Sequence, residues 1–170
     1  MSDLATPEEI AARSARQAYG AAIRLLASRD HSVAELTRKL RQREHSSEAI
    51  DTALAELADA NYVNDGRYAE LYAEQRMNQG YGPLSIRSKL AVRGVDSHHV
   101  QHALKLLDVN WAEQAEIVIA KRFTSEEITD PDQRATARIA RFLQGRGFAS
   151  SDVLRGLNQL RRESGRKAAP

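Results

Sequence analysis

The chain has 170 residues and no cysteine, so it can form one ordinary domain or a short array of small repeats, and disulfides and thiolate metal sites are excluded. With 42% hydrophobic but only 5% aromatic residues, and with β-branched residues that never gather into an alternating run, composition favours an all-helical protein. The net charge of +2 is unevenly spread: residues 1–64 carry 8 basic against 10 acidic side chains, and residues 111–170 carry 11 against 8, a gradient that a solvated surface readily accommodates. MSDLATPEEI lacks the basic patch and apolar block of a secretory signal, and no run approaches the roughly 18 apolar residues of a membrane helix. A cytoplasmic protein with no membrane segment is expected.

Residues 1–5 are expected to be loose, and Thr6-Pro7-Glu8-Glu9 is a helix start with a cap, a first-turn proline and a glutamate able to return a hydrogen bond. That helix continues to Ser28, weakened at Gly20. Ser32 and Glu35 form a second capping box opening a helix whose inward face is Leu36 and Leu40; after a Ser46-Ser47 cap, Ile50, Ala53, Leu54 and Leu57 line a third. Asn64-Asp65 caps the next helix, Gly66–Asn78, with Tyr62-Val63 as a staple. Gly80-Tyr81-Gly82-Pro83 stops it and starts another, on which Ile86 and Leu90 share a face and Gly94 supplies a left-handed end. Asn110 caps a helix over Trp111–Phe123, a long join from Thr124 ends in an Asp130-Pro131 helix start, and the polar tail from Arg161 is expected to fray.

The apolar spacing repeats. Ile50, Ala53, Leu54 and Leu57 are matched by Val100, Ala103, Leu104 and Leu107, and again by Val153, Gly156, Leu157 and Leu160. Leu36 and Leu40 are matched by Ile86 and Leu90, then by Ile139 and Leu143, with offsets of 50 and 53 that hold across both helices. The corners between them repeat as Arg43-Glu44-His45, Arg93-Gly94-Val95 and Arg146-Gly147-Phe148. A period of about 50 residues is that of stacked helical units, none of which buries enough surface alone. The expected architecture is therefore all-α: three tandem three-helix repeats in an elongated, curved array, divided as 1–62, 63–109 and 110–163, with a flexible tail at 164–170.

No catalytic constellation can be assembled. Gly145-Arg146-Gly147 is too short for a phosphate loop and suits a helix end. His98, His99 and His102 have polar, outward residues as their repeat partners and are read as a surface cluster; no metal and no cofactor is expected. Arg43, Arg93 and Arg146 occupy one equivalent position in the last turn of the second helix. There a cation complements the helix C-terminus, or, repeated on stacked units, forms a basic track for a polyanion or an acidic groove. Arg38, Lys39 and Arg41, Arg87 and Lys89, and Arg134, Arg138 and Arg141 would extend it. Without interleaved exposed aromatics, base stacking is not supported. Tyr68 and Tyr72, four apart, are read as inward; Tyr81 sits in the corner and its exposure is left open; Trp111 is read as core or staple.

Asn64-Asp65-x-Arg67-Tyr68-Ala69, then Gly80-Tyr81-Gly82-Pro83, then Ile86, Leu90 and Gly94 with Val95, together resemble the RecX family, and the likeness spans Ala21 to Leu160. Glu44, where the other repeats have glycine, departs from the pattern. The resemblance implies a non-enzymatic, monomeric modulator of the RecA recombinase. Such a protein binds the RecA filament on single-stranded DNA in its groove and limits filament growth, ATPase, strand exchange and coprotease activity. The motif residues are expected to be structural, and Arg43, Arg87, Lys89, Arg93, Arg138, Arg141 and Arg146 to face the partner. The alternatives are a stand-alone DNA-binding repeat protein, of which weak direct DNA binding would be a trace, and a scaffold for another protein.

Overall fold

Ten α-helices and no strand are found among the described residues of the computed structural model, which are 6–130 and 132–168. They are α1 (Pro7–Leu26), α2 (Val33–Arg41), α3 (Ser47–Asp59), α4 (Asp65–Asn78), α5 (Pro83–Val92), α6 (Ser97–Leu106), α7 (Trp111–Arg122), α8 (Ser125–Thr129), α9 (Gln133–Gly145) and α10 (Ser150–Ala168). The loose start expected of residues 1–5, Pro131 of the expected Asp130-Pro131 start, and residues 169–170 of the tail lie outside the described residues. One compact body runs to Ala69 and takes in Leu90–Val100; a second comprises Glu70–Lys89 and the chain from Gln101.

In the first body, Thr6 and Ser32 each accept the amide three residues on while Glu9 and Glu35 return a bond to the cap amide, so both expected capping boxes form. Ser46 caps α3 through the Ala49 amide. Leu36, Leu40, Ile50 and Leu57 are fully buried together with Ala21, Ala22 and Leu25 of α1. Each buried leucine or isoleucine here contributes about 1.5–3 kcal/mol of transfer free energy. Ala18 of α1 meets Ala49 and Ala53 of α3, where small residues let the two helices approach closely.

In the second body, Ala115, Val118, Ile119 and Phe123 pack with Ile139, Leu143, Phe148, Val153 and Leu157. Trp111 lies edge-on to Phe148 at 6.3 Å and packs on this core. The long join from Thr124 is not structureless, because Thr124 and Glu127 form a third capping box and α8 sends Ile128 into the core. Asp132, not Asp130, precedes α9. The fraying expected from Arg161 is also corrected: α10 continues to Ala168, and half-buried Arg161 donates to the carbonyls of Ile128 and Asp130 and to the Thr136 hydroxyl, at 2.8, 2.6 and 2.9 Å. These carbonyls have no partner in so short a helix, which is why α8 needs the arginine.

All three second helices end in one way. The amides of His45, Val95 and Phe148 bond back to the carbonyls of Leu40, Leu90 and Leu143, and Glu44, Gly94 and Gly147 take φ of 64°, 74° and 86°. This is the 6→1 bond and left-handed residue of a Schellman end.

Candidate partner-binding site and the repeat joints

Two of the three corners carry the start of another second helix. In the first body the Ser32 hydroxyl, at the start of α2, donates to the Arg93 carbonyl at 2.6 Å, and Asp65 accepts the Val33 amide at 2.9 Å. A Cβ on Gly94 would lie 2.4 Å from the Ala34 Cβ. In the second body the Gly82 amide, before α5, donates to the Arg146 carbonyl at 2.8 Å, and the Leu84 amide to Gly147 at 3.0 Å. A Cβ on Gly147 would lie 2.3 Å from the Ser85 nitrogen, and one on Gly82 would lie 2.4 Å from the Gly147 oxygen. Ser32 and Gly82 are equivalent by the repeat offset, as are Arg93 and Arg146, so the chain makes the same joint twice. The sequence motif thus has a mechanical reason: two backbones meet where glycine alone leaves room and a left-handed turn is needed.

The chemistry around the two joints differs. At the first, Glu35 is 5% exposed and its carboxylate accepts from both terminal nitrogens of Arg29, at 3.3 and 3.2 Å, and from the Tyr68 hydroxyl at 3.3 Å. Burial works against this carboxylate, but the Arg29 guanidinium, the Ser32 amide and the Arg93 charge together outweigh it and hold the carboxyl below its ordinary range. Burial and then the Glu35 charge push the Tyr68 phenol up. His31 is buried, with Nδ1 2.9 Å from the Arg29 carbonyl, so Nδ1 carries the hydrogen and Nε2 is left as an acceptor with no partner. Burial pushes the imidazole down, against the Arg29 carbonyl and with the Arg29 charge.

At the second joint the Arg146 guanidinium donates to the Gln79 and Gly80 carbonyls at 2.9 and 3.4 Å, and lies 5.1 Å from the Tyr81 ring and 4.9 Å from the Phe142 ring. Arg76 covers Tyr81 from 4.5 Å and donates to the Tyr72 hydroxyl at 3.1 Å. Arg122 lies 5.6 Å from Phe123 and 5.8 Å from Phe142, and Arg138 5.8 Å from Phe123. Cations and rings therefore alternate from Tyr72 to Phe123, an interleaving that linear order hides.

The cations expected to face a partner fall into two groups. Arg43, Arg87, Lys89, Arg138 and Arg141 are exposed, with Arg138 paired to Glu127. Arg93 and Arg146 are half-buried, which corrects the expectation of an outward track. Arg146 complements a helix C-terminus, but it is that of α4 rather than its own. Among the motif residues, Asn64 caps α4 through the Arg67 amide, Arg67 donates to the Asn61 carbonyl, and Tyr68, Ala69, Ile86 and Leu90 are buried. Gly80 is left-handed and Pro83 opens α5. Tyr68 points inward as expected, whereas Tyr72 is half-exposed and Tyr81 is held between two guanidiniums. His98 pairs with Asp96 at 2.7 Å and His102 lies 3.9 Å from Glu70; no group of three or more His, Asp or Glu among the described residues could hold a metal ion.

Comparison with known proteins accounts for this design. Family models described as the first and second three-helix domains of RecX match residues 18–57 and 64–104. The chain is 40% identical over 137 residues to the regulatory protein RecX of Pseudomonas entomophila, covering 81% of this chain and 87% of that one. The chain belongs to the RecX family. The RecX of Pseudomonas putida W619 is 42% identical over 127 residues, 75% of this chain and 80% of its own. The crystal structure of RecX from Lactobacillus salivarius, 24% identical, shares the fold with a TM-score of 0.76 over 88% of this chain and 97% of that one. These RecX relatives are regulatory proteins. No helix among the described residues is long and apolar enough to cross a membrane.

Proposed function

We propose that this RecX protein is a cytoplasmic, monomeric modulator, mainly an inhibitor, of the RecA recombinase, and that it lodges in the groove of the RecA–single-stranded DNA filament. It limits filament growth there and so lowers ATPase, strand exchange and coprotease activity. The observation that carries the reading is kinship with regulatory RecX proteins at about 40% identity along most of the chain. Repeated three-helix domains also suit a protein that must touch more than one protomer of a polymer.

The exposed cations Arg87, Lys89, Arg138 and Arg141 are the contact residues in this reading, since Arg93 and Arg146 are engaged at the joints. The test is RecA's DNA-dependent ATPase with substoichiometric amounts of the chain. The wild type lowers turnover, and the Arg87→Glu/Arg138→Glu/Arg141→Glu variant lowers it at least tenfold less effectively with its helix content unchanged. Turnover indifferent to the wild type contradicts the reading. Steep, salt-sensitive binding to DNA without RecA would favour a stand-alone DNA-binding module instead.

A further inference from the structure

Beside the second joint, and sharing Gln79, Gly80 and Arg146 with it, the second body has a further surface. Between the end of α4, helix α7 and helix α9 lies a groove of about 260 Å³, lined by the apolar side chains Ile117, Val118 and Phe142 and by Lys121, Arg122 and Arg146. Val118 is buried, Phe142 is half-buried, and Ile117 is 47% exposed, so the apolar lining continues out to solvent. None of the lining residues is acidic. Among the described residues, Lys121, Arg122 and Arg146 form no ion pair, although Arg138 and Arg155 of the same body do. The two arginines are also held in place: Arg122 stacks on Phe123 and Phe142, and Arg146 lies over Phe142 while donating to two carbonyls. A guanidinium already confined to one geometry loses little entropy when it takes an acceptor.

We propose that this groove binds an acidic segment of a partner protein, seating one apolar side chain against Ile117, Val118 and Phe142 and placing flanking carboxylates on Lys121 and Arg122. The inference rests on the reading above for the existence of a protein partner and goes beyond it in naming the site and the chemistry that site selects. A nucleic acid is the poorer occupant. Its bases need free ring faces, and guanidiniums already cover those of Phe142 and Tyr81. The apolar lining of Ile117, Val118 and Phe142 matches an apolar side chain.

The test is fluorescence anisotropy with the full chain and a labelled peptide carrying six aspartates around a central phenylalanine. Wild type binds it, and replacing the peptide's phenylalanine by serine weakens binding several-fold. Lys121→Glu/Arg122→Glu weakens it at least tenfold and Ile117→Ser several-fold, whereas Arg162→Glu on α10 leaves it unchanged. Because Lys121 and Arg122 are exposed, the neutral pair Lys121→Gln/Arg122→Gln serves as a second variant that keeps the fold and shows an intermediate loss. No binding of the peptide, equal binding by the charge-reversed variant, or tighter binding of a thymidine oligonucleotide lost in the same variants would each overturn the proposal. The assay contains no recombinase. A chain that binds the peptide and leaves RecA turnover alone keeps the groove and loses the functional reading; a chain that inhibits RecA without binding the peptide does the reverse.

Discussion

The two joints share a backbone and differ in almost everything else. Each sets the start of a second helix on the Arg-Gly corner of another, and each closes with a hydrogen bond to the arginine's carbonyl. The first surrounds that contact with a buried carboxylate, two arginines, a phenol and a buried imidazole; the second surrounds it with main-chain carbonyls and ring faces. Duplication therefore conserves the steric requirement, which tolerates no side chain, and leaves the side chains around it free to diverge. The groups whose titration is displaced by burial and neighbouring charge, His31 and Glu35, stand at the first joint.

The largest expected effect breaks what the joints have in common. Gly94→Ala and Gly147→Ala each impose a left-handed alanine and push a methyl to within 2.4 Å and 2.3 Å of neighbouring atoms. Each should cost about 3 kcal/mol in urea unfolding. A loss below about 1 kcal/mol at either would mean that the corner is not closely packed.

The next effect separates the joints. Glu35→Gln replaces the buried carboxylate that Arg29 and Tyr68 share by a neutral amide with one acceptor oxygen, an expected loss of about 2 kcal/mol. Arg146→Met keeps an apolar stem over Phe142 and should cost about 1 kcal/mol. The reverse order would contradict the assignment of polar chemistry to the first joint.

Acid sharpens the contrast. His31 is held below its unfolded value, so the stability of its neutral form is complete above pH 6.5 or so and is lost as pH falls toward the folded value, by at most about 1.4 kcal/mol per pH unit. The depressed Glu35 carboxyl acts in the same direction at lower pH, its contribution being full above about pH 4.5 and lost through the folded value. Thermal unfolding at pH 7 and pH 5 should show a smaller drop for His31→Gln, whose amide can still donate to the Arg29 carbonyl, than for wild type. Equal drops would remove His31 from the account.

The smallest effect concerns the third corner. Glu44 is exposed and left-handed where its counterparts are glycine, so Glu44→Gly should raise stability by about 1 kcal/mol.

The helices were legible because each apolar stripe, Ile50 to Leu57 and its two copies, must recur at helical spacing to bury one face, and because capping boxes announce helix starts. The same signal stood at Thr124 and Glu127, but α8 is five residues long, too short for a stripe to reveal it. The joints were not legible. Ser32 meets Arg93 and Gln79 meets Arg146 across 61 and 67 residues, and nothing local says that an arginine at a helix end will be covered by another helix. For the same reason Arg93 and Arg146 read as outward cations beside Arg87 and Arg141, and the alternation of Arg76, Tyr81, Arg146, Phe142 and Arg122 became visible only once three segments were folded together. His31 carried no motif at all; its one signal was its place opposite Tyr81 in the repeat register.

The most direct measurement of the central claim is fluorescence anisotropy of the labelled chain, titrated at physiological salt with RecA filaments on single-stranded DNA and, separately, with the same DNA alone. The account predicts affinity for the filament at least tenfold above that for bare DNA. Equal affinity for the two would contradict it.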